Sequence, residues 1–188
     1  MIKTIFFDFD GVIAESVDIK HDSFYDLYKP FGENVALKVK EHNNLNGGIS
    51  RFEKFKIYHE KFLGKKINQS TIDDLSQKYS ELVMNKVINS HNVDGALDFI
   101  EKYNADYQFF IITGTPKFEI DMILKGKNIS NYFIEVFGSP QNKKYWNEHI
   151  IKKYNLSRNE IVFIGDSMSD YDAALFSKLN FILRTTSH

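Results

Sequence analysis

Five short apolar runs punctuate the chain: Ile5-Phe6-Phe7, Tyr107 to Ile112, Phe133 to Phe137, Ile161 to Ile164 and Phe181-Ile182-Leu183. Each is too short for a helix and shows little polar alternation, the pattern of strands buried on both faces of a parallel sheet. Helical spacing fills the gaps. Ala96, Leu97, Phe99, Ile100 and Tyr103 predict a helix before the second run. Pro116 is placed to start a helix carrying Phe118, Ile120, Met122, Ile123 and Leu124, which Gly126 ends. Tyr145 to Tyr154 and Tyr171 to Phe176 predict two more. This alternation predicts an α/β fold built on a doubly wound parallel sheet.

One interval breaks the rhythm. The first run ends near Asp8 and the second begins near Tyr107, whereas a crossover needs only a dozen or more residues. The helix near Ala96 to Tyr103 makes that crossover alone, so the stretch before it reads as an insertion. Inside it the apolar positions are helical: Phe24, Leu27 and Tyr28; Val35, Leu37 and Val39; Phe52, Phe55, Ile57, Tyr58 and Phe62; Ile72 through Val87. Asn46-Gly47-Gly48 breaks two of these helices apart. The division expected is a core of residues 1–15 and 91–188 with a small helical domain over 16–90.

Composition narrows the class. Apolar residues are 43% and charged residues 26% of the 188, close to globular averages. Lys plus Arg number 24 against 25 Asp plus Glu; this balance offers no basic field for nucleic acid or an anionic membrane. With no cysteine, disulfides, thiolate metal sites and cysteine nucleophiles are excluded. Acid at Asp8 comes too soon for a signal-peptide core, and no stretch approaches the roughly 18 apolar residues of a membrane span. The expectation is a soluble cytoplasmic protein, monomer or homodimer, that binds neither nucleic acid nor membrane. The chain ends close to its last strand, so that sheet edge is minimal or the chain continues.

The polar clusters fall at the carboxyl ends of the apolar runs, where open α/β sheets bind ligands. Asp8 and Asp10 follow the first, Thr113 the second, Ser139 and Lys143 the third, Asp166 and Asp170 the fourth. Several carboxylates without a His or Cys cluster suit a hard, oxygen-seeking ion, Mg²⁺ first. Lys143 adds a fixed positive charge and Thr113 a hydroxyl, a set that points to phosphate. A carboxylate can itself be the nucleophile. Glycines at 11, 114 and 165 let backbone approach the ligand.

Asp8-Phe9-Asp10-Gly11-Val12 resembles the first motif of the haloacid dehalogenase superfamily. Ile111-Ile112-Thr113-Gly114 resembles its second, Gly138-Ser139-Pro140-Gln141-Asn142-Lys143 its third, and Gly165-Asp166-Ser167-Met168-Ser169-Asp170 its fourth. The resemblance covers nearly the whole core in order and implies a Rossmann-like core with an inserted α-helical cap, in the phosphoglycolate-phosphatase-like branch. It further implies phosphoryl transfer: Asp8 the nucleophile that forms an aspartyl-phosphate, Asp10 the acid and base, and Thr113 and Lys143 holding the phosphoryl group with Gly114 beside it. Mg²⁺ would be held by Asp8, the backbone carbonyl of Asp10, and Asp166, with Asp170 a supporting or alternative ligand. In the cap, Gly47-Gly48-Ile49-Ser50-Arg51 resembles a segment of hexose-phosphate mutases whose arginine contacts a second anionic group. Arg51, Lys54 and Lys20 are therefore the candidate substrate contacts.

The expected function is a Mg²⁺-dependent phosphatase acting on a small phosphorylated metabolite. One alternative is a phosphosugar mutase, against which stands Lys20, where many relatives carry histidine. Another is a phosphoaspartate signalling receiver, a class that lacks a cap. The plainer readings make Asp170 a helix cap, Arg51 a solvated helix-start residue, and the six histidines surface or packing residues.

Overall fold

The computed structural model describes residues 1–46 and 49–185. Gly47 and Gly48, in the segment read as a break and as a mutase-like motif, lie outside the described residues. The elements are β1 (Thr4–Phe7), α1 (Val17–Tyr28), α2 (Glu33–Leu45), α3 (Arg51–Leu63), α4 (Gln69–Ile88), α5 (Ala96–Tyr103), β2 (Gln108–Pro116), α6 (Lys117–Gly126), β3 (Glu135–Ser139), α7 (Lys143–Lys153), β4 (Ile161–Gly165), α8 (Met168–Phe176) and β5 (Asn180–Leu183).

The five strands form one parallel sheet in the order β3-β2-β1-β4-β5. β1 is the middle strand, and all four of its residues are buried. Phe6 aligns with Phe110 on one side and Phe163 on the other, and its ring meets both edge-on. A strand with two neighbours and covered faces has no solvent side, which is why Ile5-Phe6-Phe7 is an unbroken apolar run and Thr4, buried too, bonds to Gln108. From β1 the chain builds outward to β2 and β3, then returns to the other flank for β4 and β5. The order therefore reverses at β1, and the crevice of a doubly wound sheet opens at that point.

Alternation divides the core. Phe6, Phe110, Ile112, Phe137 and Phe163 form one apolar cluster with α7 and α8. Ile5, Phe7, Phe109 and Ile111 belong to a larger one that runs on into Phe24, Tyr28, Phe55, Tyr58 and Tyr79 of the inserted helices. Those helices are thus not an appendage, because their apolar face and one face of the sheet are a single buried body.

Three local expectations are corrected. β2 does not stop at Ile112 but continues through Thr113-Gly114-Thr115 to Pro116, with its register to β3 shifting between Ile112 and Pro116. Pro116 is accordingly the residue before α6, in extended backbone, and not its first turn. α8 begins at Met168, earlier than the apolar run from Tyr171 indicates, because Ser167 and Asp170 close a capping box there. Among the described residues, no helix is long and apolar enough to cross a membrane.

Phe6 is fully buried between two rings, so Phe6→Ala should cost about 3–5 kcal/mol in urea unfolding. Leu175→Ala, on a side chain 61% exposed, should stay within about 0.5 kcal/mol. Equal small losses at both positions contradict the central placement of β1.

Candidate active site

Asp8 follows β1 directly, and its backbone N–H donates to Ile164 O at 2.9 Å, which fixes it at the sheet's switch point. The chain then turns tightly, Gly11 N–H donating to Ala14 O at 2.8 Å. Gly11 has φ +72°, and a Cβ there would lie 2.1 Å from Asp166 Oδ2. Only glycine satisfies both demands, so the first loop can press against the acid that follows β4. Arg184, beyond β5, donates to Gly11 O at 2.9 Å and pins the loop from outside.

Asp8 and Asp10 stand two residues apart in different surroundings. Asp8 Oδ2 pairs with Lys143 Nζ at 3.0 Å. Its Oδ1 is buried with no hydrogen-bond partner among the described residues. Burial pushes Asp8 up to about 8 against the pull of Lys143, and the charges of Asp170, Asp10 and Asp166 add to the rise. Asp10 is saturated: Oδ1 accepts from Ser16 Oγ at 2.6 Å, and Oδ2 accepts from Thr115 Oγ1 at 3.1 Å and from Lys20 Nζ. Burial pushes Asp10 up, but the charge and hydrogen bond of Lys20, with the two hydroxyls, outweigh it and leave the carboxyl below its usual range.

Lys143 is the first residue of α7, with Asn142 capping that helix. Its ammonium bridges Asp8 and Asp170. Desolvation opposes its charge, but the two carboxylates prevail and raise it above the ordinary lysine value. Asp170 is fully buried. One of its oxygens takes Lys143, and the other accepts from Ser167 N and from Ser167 Oγ at 2.6 Å. It is therefore a helix cap and an anchor for Lys143 at once. Gly165 keeps the space this needs, since a Cβ there would lie 2.2 Å from Asp170 Cβ.

Asp8, Asp166 and Asp170 offer carboxylate oxygens that all lie within 4.8 Å of one another. Burial, then the Asp170 charge, pushes Asp166 up to about 6. Crowded acids displaced upward and an all-oxygen donor set fit a hard divalent cation such as Mg²⁺. The carboxylate of Asp10 lies outside this cluster, turned to Lys20, Ser16 and Thr115.

A cavity of about 400 Å³ joins these groups to the inserted helices, lined by Asp8, Asp10, Lys143 and Asp166 on one side and Lys20, Arg51 and Lys54 on the other. Gly114 and Thr115 line it too. Thr113 lines an adjoining depression with Gly114, Ser139 and Lys143 instead, and its hydroxyl accepts from Thr115 N at 3.2 Å. Lys20 is engaged with Asp10 and donates to Thr115 Oγ1 at 2.7 Å. Arg51 opens α3 but is not solvated. It is 6% exposed, forks onto both oxygens of Glu119 at 2.6 Å, donates to Ser80 Oγ and lies 4.5 Å over the Tyr79 ring. Its guanidinium thus ties α3 and α4 to α6. Lys54 donates to Asn43 Oδ1, and burial, with the charge of Lys20, pushes it down to about 8.

Ser16, Thr115 and Glu119 escape a reading of the sequence. Thr115 leaves a faint trace, as a second hydroxyl one β-repeat after Thr113 on the same strand face. Glu119 leaves none, being one more acid in the first turn of a helix.

The family model of haloacid dehalogenase-like hydrolases matches residues 5–183. No curated protein matches the sequence. Solved structures do. A haloacid dehalogenase-like hydrolase from Bacteroides fragilis aligns at TM-score 0.80 and 18% identity, over 100% of this chain and 91% of that one. A protein from Haemophilus somnus named as a phosphoglycolate phosphatase aligns at 0.72 and 18%, over 97% and 84%. One from Bacteroides vulgatus named as a beta-phosphoglucomutase aligns at 0.76 and 19%, over 97% and 75%. At such identities these likenesses establish the fold.

The Arg51–Glu119 pair is buried on both sides. Glu119→Ala strands a guanidinium, and should cost about 3–5 kcal/mol in chemical unfolding. Arg51→Met with Glu119→Met removes both charges and should recover most of that loss. A double variant as unstable as the single one contradicts this account.

Proposed function

The chain belongs to the haloacid dehalogenase-like hydrolases, and from that premise we propose that it is a Mg²⁺-dependent phosphatase of small phosphorylated metabolites, working through an aspartyl-phosphate on Asp8. The observation that carries the reading is the division between the two aspartates. Asp8 keeps one oxygen free of any partner, whereas Asp10 is held by three donors. A nucleophile needs an unengaged lone pair, and an acid–base group needs a defined position from which to pass a proton.

Asp8 Oδ1 attacks phosphorus, and the bond from phosphorus to the ester oxygen breaks. Asp10, released from Lys20 and protonated, gives its proton to the departing oxygen. It then takes a proton from the water that attacks the phosphoenzyme, which frees inorganic phosphate and restores Asp8. Lys143 holds Asp8 in place and faces the charge on the phosphoryl oxygens. Asp8 and Asp166 would hold Mg²⁺, with Asp170 behind them. When bound, the ion supplies positive charge between the carboxylates and the phosphoryl group. The backbone at Gly114 and the hydroxyl of Thr113, which line one depression with Lys143, would receive phosphoryl oxygens. Relatives named as phosphoglycolate phosphatases support this branch at the level of fold.

Two alternatives are weaker. A receiver lacks a cap, and here four helices stand between β1 and the crossover to β2. A mutase remains the second reading because a relative carries that name, but Lys20 bound to Asp10 departs from the histidine pattern.

With Mg²⁺, the protein should release phosphate from an aryl phosphate such as 4-nitrophenyl phosphate. Asp8→Asn should abolish turnover, and Asp10→Asn should lower it by about 10²–10⁴-fold. Full activity in Asp8→Asn overturns the mechanism.

Metal and protons compete for the same carboxylates. Asp8 and Asp166 are raised to about 8 and about 6, so each holds its proton longer than a free acid and sheds it as pH rises. The rise in melting temperature given by Mg²⁺ over chelator should therefore be small at pH 5 and grow towards pH 8. A gain that is flat or falls over that range counts against these ligands.

A further inference from the structure

Three donors hold the Asp10 carboxylate, and they belong to two parts of the fold. Ser16 stands at the start of α1 and Lys20 lies within it, so both are carried by the inserted helices. Thr115 belongs to β2, which pairs with β1, and it is 3% exposed. Its peptide is pressed against the next strand, since a Cβ on Gly138 would lie 2.3 Å from Thr115 O. The register of β2 to β3 shifts between Ile112 and Pro116. Irregularities of this kind re-aim a side chain at a sheet's end, and here the side chain meets Asp10. Of the three holders, Thr115 alone is fixed to the sheet that also carries Asp8 and Thr113.

The neighbours of Thr115 also decide where its proton points. An ammonium has no lone pair, so Lys20 Nζ donates to Thr115 Oγ1, at 2.7 Å. Thr113 Oγ1 donates to the same oxygen at 3.4 Å. Both lone pairs are then used, and the single hydroxyl proton goes to Asp10 Oδ2 at 3.1 Å. Oδ2 is also the oxygen that Lys20 takes. Asp10 can act as an acid only once Lys20 has left it. Ser16 then still holds Oδ1 and Thr115 still holds Oδ2, so the carboxyl keeps its plane. The side of Oδ2 that Lys20 vacates is where a proton fits.

The geometry points to Thr115 as a positioning residue for proton transfer at Asp10. From the end of β2 it fixes Oδ2, whose proton passes to the ester oxygen as that oxygen's bond to phosphorus breaks. A proton of the water that attacks the phosphoenzyme later returns to Oδ2. This rests on the phosphatase reading, and the test separates the two. Help from an acid matters most when the departing oxygen is a strong base. Phenolate needs that help, whereas 4-nitrophenolate leaves with little. With Mg²⁺ present, kcat/KM reads the steps up to this departure. Thr115→Val keeps the side chain's shape and removes its hydroxyl. It should lower kcat/KM about 10–100-fold on phenyl phosphate, and no more than about threefold on 4-nitrophenyl phosphate. Thr115→Ala is the second variant and should show the same split. Thr115→Ser restores the hydroxyl and should stay within about threefold of wild type on both esters. The rise in melting temperature given by Mg²⁺ should be the same in Thr115→Val as in wild type, because Thr115 touches none of Asp8, Asp166 and Asp170. Equal losses on the two esters, no loss on either, a lost Mg²⁺ response or no rescue by Thr115→Ser each overturn the role of Thr115, while wild-type turnover upholds the phosphatase. A wild-type protein that releases phosphate from neither ester overturns the phosphatase reading, and the role of Thr115 with it.

Discussion

Lys143 is the charge on which the crevice depends. The sheet brings Asp8, Asp166 and Asp170 to within a few ångströms at its switch point, and like charges at that range resist joint ionisation in a buried setting. The ammonium set between Asp8 and Asp170 is the protein's own counterweight. Its position is doubly determined. The Asn142 cap starts α7 at Lys143, and the Ser167–Asp170 capping box starts α8 with its acid facing inward. Two helix starts, one after β3 and one after β4, thus meet through one ion pair. Local backbone chemistry, the need of each helix to cap its first turn, also sets the distance between Asp8 and Lys143.

The same economy separates Asp8 from Asp10. Identical side chains two residues apart lie on opposite sides of the ordinary carboxylate value, because burial, helped by neighbouring acids, prevails over Lys143 at Asp8, while Lys20, Ser16 and Thr115 outweigh burial at Asp10. Acid–base division of labour arises from surroundings and not from residue type. Two of those three partners come from the inserted segment and the first loop, and the third from the extended end of β2. Asp10 is therefore positioned jointly by the inserted helices and the sheet, whereas the partner of Asp8 comes from the sheet side alone.

Four strands were legible because a sheet covered on both faces favours apolar residues and their runs break at the polar residues of the crevice; the fifth, β5, is instead an edge strand with Ile182 and Leu183 exposed. The inserted helices were legible because each carries apolar residues at helical spacing towards one shared core. What stayed hidden depends on partners distant in sequence. Arg51 and Glu119 are 68 residues apart, and neither alone announces a buried pair. Lys20 reads as a candidate substrate contact until Asp10 is seen against it. The continuation of β2 through Thr113-Gly114-Thr115 was obscured by glycine, which weakens a strand pattern wherever backbone must come close to something else.

That hidden layer sorts the cations of the cavity. Charge balance over the whole chain says only that no large polyanion is favoured, and the local accounting is more discriminating. A guanidinium that forks onto a carboxylate fastens α3 and α4 to α6 and is consumed in doing so. An ammonium that pairs with Asp10 is consumed as well. One α-turn beyond Arg51, and facing the same space, Lys54 has neither task. The apolar body shared by sheet and inserted helices keeps it there, since α3 cannot turn Lys54 to solvent without withdrawing Phe55 and Tyr58 from that core. A charge without a carboxylate partner among the described residues is thereby held at the cavity by packing.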